Sequence, residues 1–182
     1  MSMVRGWIVA TVLLCVTGAP VIAQTSTHRD GFWISFGLGG GANLDSDIEN
    51  RGGGGVYVRL GGTPSNQVLL GGEITAMVRD AGTLNGTLTQ GNATFSALFY
   101  PSKSGNFFLK GGVGFATVEA TGTVGAFSVS ANRQGFGSTI GLGGDIRVGR
   151  KISIVPNLDL LLQAFEEGGN SVLLATLGIV FH

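Results

Sequence analysis

Seven charged residues fall at alternating positions inside otherwise apolar, strand-like segments: Arg59, Glu73, Arg79, Lys110, Asp145, Arg147 and Asp159. Carboxylates interleaved with guanidinium and ammonium groups can do three things: pair with one another, relay protons, or line a path for ions. Which of these they do depends on the space around them. If the segments close around a narrow interior, there is room for little beyond the side chains themselves. Charges confined there must pair. The expected arrangement is therefore a salt-bridged network that plugs the interior, with a gated pathway or proton relay as the sharper alternative.

Other chemistries find less support. Nucleophilic catalysis needs a histidine base beside a serine, held by an acid. The chain offers only His28, ahead of the first strand segment, and His182. Asp45-x-Asp47-x-Glu49 opens like a calcium loop, yet the glycine and distal glutamate that such a loop needs are replaced by Asn50 and Val56. Gly37-Leu-Gly-Gly-Gly-Ala42 spells a dinucleotide fingerprint, but no helix pattern follows it. Asn-x-Thr sequons stand at Asn85 and Asn92 and are given no role. We assign no catalytic, cofactor-binding or metal-binding residue.

The elements that must position the charges follow a period of two, as in Phe32, Ile34, Phe36 and Leu38 interleaved with Trp33, Ser35, Gly37 and Gly39. Eight strands are expected, at roughly 31–43, 54–63, 67–80, 89–100, 106–120, 134–148, 151–165 and 171–182. Charged residues of these segments are assigned to the interleaved face and none to the apolar one. That segregation is expected of a barrel in lipid, apolar outside and polar inside. Two places fit poorly. Leu161 breaks the alternation and must enter the interior or sit at a bulge, and Pro156 lies mid-strand, where a bulge is expected.

Connections alternate in length. Pro64 to Asn66, Pro101 to Gly105 and Gly149-Arg150 read as short turns, whereas 44–53, 81–88 and 121–133 read as loops, with a shorter polar link at 166–170. Basic residues gather at the short turns (Lys103, Arg150, Lys151) and acidic ones at the loops (Asp45, Asp47, Glu49, Glu166, Glu167). An acidic outer rim would meet anionic phosphates at a membrane surface through divalent cations, although Arg51 and Arg133 could offset its charge.

The first residues read as a leader. Arg5 precedes the apolar run Ile8 to Val16, which is far shorter than the ~20 residues of a spanning helix. Gly18, Pro20 and Val21-Ile22-Ala23 then complete a signal peptide over 1–23, leaving a barrel over 24–182. Cys15, the only cysteine, lies in the leader behind Leu14, a poor setting for lipidation, so the mature chain has no disulfide. Formal charge is zero and falls to −1 without Arg5, which argues against a nucleic-acid partner. The 33 glycines far exceed average usage of about 7%, but without a Gly-X-Y period they punctuate strands rather than build collagen.

The stretch from Phe95 to Phe115, with its Tyr100-Pro101 turn and Gly111-Gly112-Val113-Gly114, resembles the strand–turn–strand hairpin of small OmpA/OmpX/OmpW-like outer-membrane barrels. Leu177 to His182 resembles their final strand, which in the family ends in an aromatic; here Phe181 is followed by His182. The resemblance implies an all-β, eight-stranded antiparallel up-and-down transmembrane barrel in the outer membrane of a Gram-negative bacterium. It also implies outer-membrane lipid and lipopolysaccharide as surroundings and the barrel-assembly machinery as a partner in biogenesis. The expected function is non-enzymatic, structural or loop-displaying, with no extracellular ligand legible. The alternatives are a narrow channel or carrier for small or apolar solutes, and a soluble lipocalin-like barrel with its apolar face turned inward.

Overall fold

The computed structural model describes residues 29–44, 52–80, 86–124 and 127–182. The expected leader, Cys15, His28, Asp45, Asp47, Glu49, Arg51 and Asn85 all lie outside the described residues.

Eight long strands follow one another: β1 (Phe32–Asn43), β2 (Gly52–Ser65), β3 (Val68–Asp80), β4 (Thr87–Phe99), β5 (Phe107–Val124), β6 (Phe127–Gly144), β7 (Ile152–Phe165) and β8 (Gly168–Phe181). Each pairs antiparallel with the next, and β1 pairs with β8, so the sheet closes on itself with no edge. The closing register sets Ile34 opposite Phe181 and Leu38 opposite Leu177. On the outside of that seam Phe36 and Phe181 stack, their ring centroids 6.1 Å apart.

Alternation sets the two faces. Phe95, Phe115, Leu38 and Ile74 point outward, each at least 64% exposed, while Arg59, Glu73, Lys110 and Asp159 point inward and are at most 3% exposed. A soluble barrel with its apolar face turned inward is the opposite arrangement, and the fold excludes it. Leu161 takes the inward option, fully buried, with Leu160 and Leu162 facing out.

Asp80 and Glu119 correct the expected segregation of charge, because both are exposed on the outward face. Their position explains it. The apolar girdle on β5 and β6 ends at the paired Phe115 and Phe136, and the ladder runs on from Thr117–Gln134 to Val124–Phe127. Residues 130–134 of β6 are exposed on both faces, so this part of the hairpin stands in water, where an outward carboxylate carries no membrane penalty. The expected loop at 121–133 is thus mostly strand, extending β5 by roughly 30 Å past the girdle. Likewise β8 starts at Gly168, which turns the expected link at 166–170 into a tight turn at Glu166-Glu167.

Pro156 sits in β7 without the expected bulge. Its pairing with Leu177 of β8 lies in an unbroken ladder. On the other side the ladder stops at Gly143–Asn157 and resumes in the same register at Ile146–Ile154. The missing N–H is accommodated by a gap in the ladder at Gly144-Asp145, while on the other edge of β6 the Asp145 amide extends the β5–β6 pairing by donating to the Asn106 carbonyl at 2.8 Å. The register shift in this barrel is at Gly62/Ser65 between β2 and β3, beside Pro64.

Candidate functional site: a filled lumen

The inward faces stack into layers along the barrel axis. At the short-turn end Trp33, Leu69, Leu98, Tyr100, Phe108, Val155 and Val180 form one apolar cluster, and nearer the loops Met77, Leu161, Val172 and Leu174 form another. Between them lies a charge quartet drawn from four strands.

Lys110 Nζ of β5 lies 2.5 Å from Glu73 Oε1 of β3 and 2.7 Å from Asp159 Oδ1 of β7. Arg59 of β2 stands opposite, 3.5 Å from the Glu73 carboxylate and 3.6 Å from that of Asp159. Its guanidinium also rests 3.9 Å over the Tyr57 ring. Two cations and two anions balance. Remaining acceptor capacity is met by neutral donors: Thr75 Oγ1 at 2.7 Å and Ser96 Oγ at 3.2 Å donate to Glu73, and Asn157 donates to Asp159. A buried pair holds only with such support, because each charge has lost its water.

Glycine makes the space for this layer. A Cβ at Gly141 would stand against the Asp159 carboxylate, and one at Gly37 or Gly178 would meet the Tyr57 ring. Nearer the loops, side chains at Gly41 and Gly55 would collide with Leu174, and one at Gly53 would press on Met77 and strike the Val78 carbonyl. The glycine runs of β1 and β2 are the hollow into which the loop-side cluster packs.

Above that cluster an amide chain crosses the lumen. Asn43 donates to Asn170 at 2.7 Å, Asn170 to Gln163 at 2.9 Å, Gln163 to Asn92 at 2.8 Å, and Asn92 to the Ser138 carbonyl at 2.9 Å. Below the quartet, Arg29 enters from the segment ahead of β1. Its Nε lies 3.3 Å from Asp145 Oδ2, its Nη2 donates to the Gly105 carbonyl at 2.9 Å, and its guanidinium covers the Tyr100 ring at 3.6 Å. Tyr100 Oη donates to the same Asp145 carboxylate at 2.8 Å.

Of the seven charges singled out in the sequence, Arg59, Glu73, Lys110 and Asp159 meet in one layer, and Asp145 belongs to the Arg29 clasp. Arg79 sits half-buried at the loop-side mouth, where it lines a cavity of about 250 Å³ with Gln90, Arg133 and Asn170. Arg147 leaves the lumen. Only Ile146 and Arg147 continue past the Asp145 gap before the turn begins, and Arg147 is exposed, donating to the carbonyls of Gly149 at 3.2 Å and Arg150 at 2.7 Å. His182 is half-buried beyond β8, and burial, opposed by Asp145, lowers its pKa below the ordinary histidine value. Neither ring nitrogen has a hydrogen-bond partner, serine included, among the described residues.

Arg29, Tyr100, Asn43, Gln90 and Asn170 were not picked out by the reading of charges. Asn43 extends the odd-numbered inward row of Trp33 and Ser35 and is accessible to the same parity argument, whereas Arg29 lies ahead of the alternating segment.

The sequence profile of the outer membrane protein beta-barrel domain matches residues 11–181. No curated protein matches the sequence. Among solved structures, the fold is similar to Ail, the attachment invasion locus protein of Yersinia pestis, at 15% identity and a TM-score of 0.60, over 85% of this chain and 100% of that one. Neisserial surface protein A is similar at 12% identity and TM-score 0.60, over 85% and 99% of the two chains. The N-terminal barrel domain of Pseudomonas aeruginosa OprF follows at 15% identity and TM-score 0.51, over 85% and 98%. At these identities the likeness is one of fold.

Proposed function

The chain belongs to the outer membrane protein beta-barrel domain family and resides in the outer membrane, and we propose that it serves there as a non-enzymatic barrel with a plugged lumen, structural or loop-displaying in role. The observation that carries this reading is the charge quartet, four side chains at most 1% accessible that span the interior. The cavity beside it, between Arg59 and the short-turn cluster, has a volume of about 10 Å³. That is room for about one water, which supports a lumen closed at this level.

Planar-bilayer recording tests the plug. The expected result is an unbroken baseline for the reconstituted protein. A reproducible channel of substantial conductance, abolished by charge changes at Arg59 or Glu73, would instead support the narrow-channel reading.

The short-turn rim is assigned to the periplasm and the long hairpins to the cell surface, following the layout of bacterial barrels. Cysteines placed singly at Glu167 and at Ser102, both exposed, give the check. An impermeant thiol reagent on intact cells should modify E167C and spare S102C, and the reverse pattern would invert the barrel.

A further inference from the structure

The two rims differ in charge. At the loop rim the exposed carboxylates Asp80, Glu119, Glu166 and Glu167 stand with Arg133, which pairs with Glu167. At the short-turn rim Lys103, Arg147, Arg150 and Lys151 are exposed, with Asp30 as the exposed carboxylate described at that end. Asp145, the other acid there, is turned inward and engaged by Arg29 and Tyr100. The short-turn rim is therefore a cationic collar.

Its densest part is the turn between β6 and β7. Arg147 folds back on the carbonyls of Gly149 and Arg150, and the amides of Val148 and Gly149 both donate to the Ile152 carbonyl, at 3.1 and 3.0 Å. Arg150 and Lys151 thus project from a braced turn rather than from a loose loop. Directly beside them Ile146, Val148 and Ile152 are 47%, 58% and 38% exposed, and Phe107, at the start of the adjoining β5, is 48% exposed. Cations above an apolar wall match the two halves of a phospholipid: phosphate at the collar, acyl chain along the strands. Because this wall is continuous with the lipid-facing surface of the barrel, the occupant is a bilayer lipid rather than a soluble phosphate.

We infer that the short-turn collar, centred on Arg150 and Lys151 and extended by Lys103, binds the headgroups of anionic phospholipids and favours them over zwitterionic ones. The inference uses the orientation proposed above only to say that the lipid lies in the periplasmic leaflet; headgroup preference can be measured without it. Each Lys or Arg near an anionic surface contributes about fivefold to binding at ordinary ionic strength.

Native mass spectrometry of the folded barrel, released from micelles containing equal phosphatidylglycerol and phosphatidylethanolamine, provides the test. Phosphatidylglycerol adducts should exceed phosphatidylethanolamine adducts at least about tenfold, and K103Q/R150Q/K151Q should bring the ratio near one. Arg147 is left in place because it shapes the turn, and R133Q at the opposite rim should leave the ratio unchanged. Heat-modifiable migration on a gel verifies that each variant is folded. Should the triple variant not fold, raising salt on the wild type reads the same interaction, and the ratio should fall toward one. Equal retention of the two lipids by the wild type overturns the inference, as does a preference that survives both neutralisation and salt. Inverted thiol labelling with the lipid preference intact would instead move the lipid to the other leaflet.

Discussion

Glu73→Gln should destabilise the folded barrel by about 3–5 kcal/mol, measured as urea unfolding from phospholipid vesicles and followed by gel migration. The substitution preserves volume and an acceptor oxygen for Thr75, which now donates at 2.7 Å. What it removes is one of the two anions between Lys110 and Arg59. Asp159 is then left to balance two buried cations, and the energetic consequence is the uncompensated charge rather than the lost contact. A second substitution separates these effects. Lys110→Gln alone should destabilise by a similar amount through the opposite imbalance, while E73Q/K110Q restores neutrality and should lie well above the sum of the singles. Additive losses, or a single-variant effect under about 1 kcal/mol, would mean that the quartet is not an electrostatic unit. The exposed Arg133–Glu167 pair is the contrast: surface pairs contribute about 0–1 kcal/mol, so Arg133→Gln should leave the midpoint nearly unmoved.

The closed barrel was legible in the sequence because a lipid exterior leaves little choice at outward positions. Phe95 and Phe99 of β4, and Leu109, Val113 and Phe115 of β5, are spaced by two or four residues within their strands and all face out. Inward residues were legible by the same parity, which placed Arg59, Glu73, Lys110 and Asp159 on one side of the wall. Their mutual distances were not, since those depend on the stagger between strands separated by long stretches of chain. Parity also misleads where its cause ends. Beyond Phe115 and Phe136 the outward positions meet water, and residues 130–134 are exposed on both faces, so the β5–β6 ladder continues through polar residues that read as a loop. Arg147 has the inward parity, but the strand gives way to a turn at that point. Pro156 was expected to force a bulge, yet the strand keeps its register because the neighbouring ladder opens at Gly144-Asp145.

Arg29 was invisible for a different reason: it precedes the first alternating segment, and its partners are distant in sequence. Asn66 accepts its backbone N–H at 3.2 Å across 37 residues, Gly105 its Nη2 across 76, and Asp145 its Nε across 116. One residue thereby fastens the start of β1 to the turn regions after β2, β4 and β6. Arg29→Ala should destabilise the barrel by about 3–5 kcal/mol, because Asp145 would stay buried with Tyr100 Oη as its remaining donor among these contacts. Removing the guanidinium also uncovers the Tyr100 ring, a desolvated cation–π contact worth about 2 kcal/mol. Arg29→Lys keeps the charge but loses the planar fork that reaches Asp145 and Gly105 together, and should fall between the two. If the clasp acts as a unit, R29M/D145N should be less damaging than the sum of R29M and D145N, with a coupling of at least about 1 kcal/mol in the double-mutant cycle. A coupling near zero would show that Arg29 stabilises the end of the barrel by packing alone, with no contribution from its pairing to Asp145.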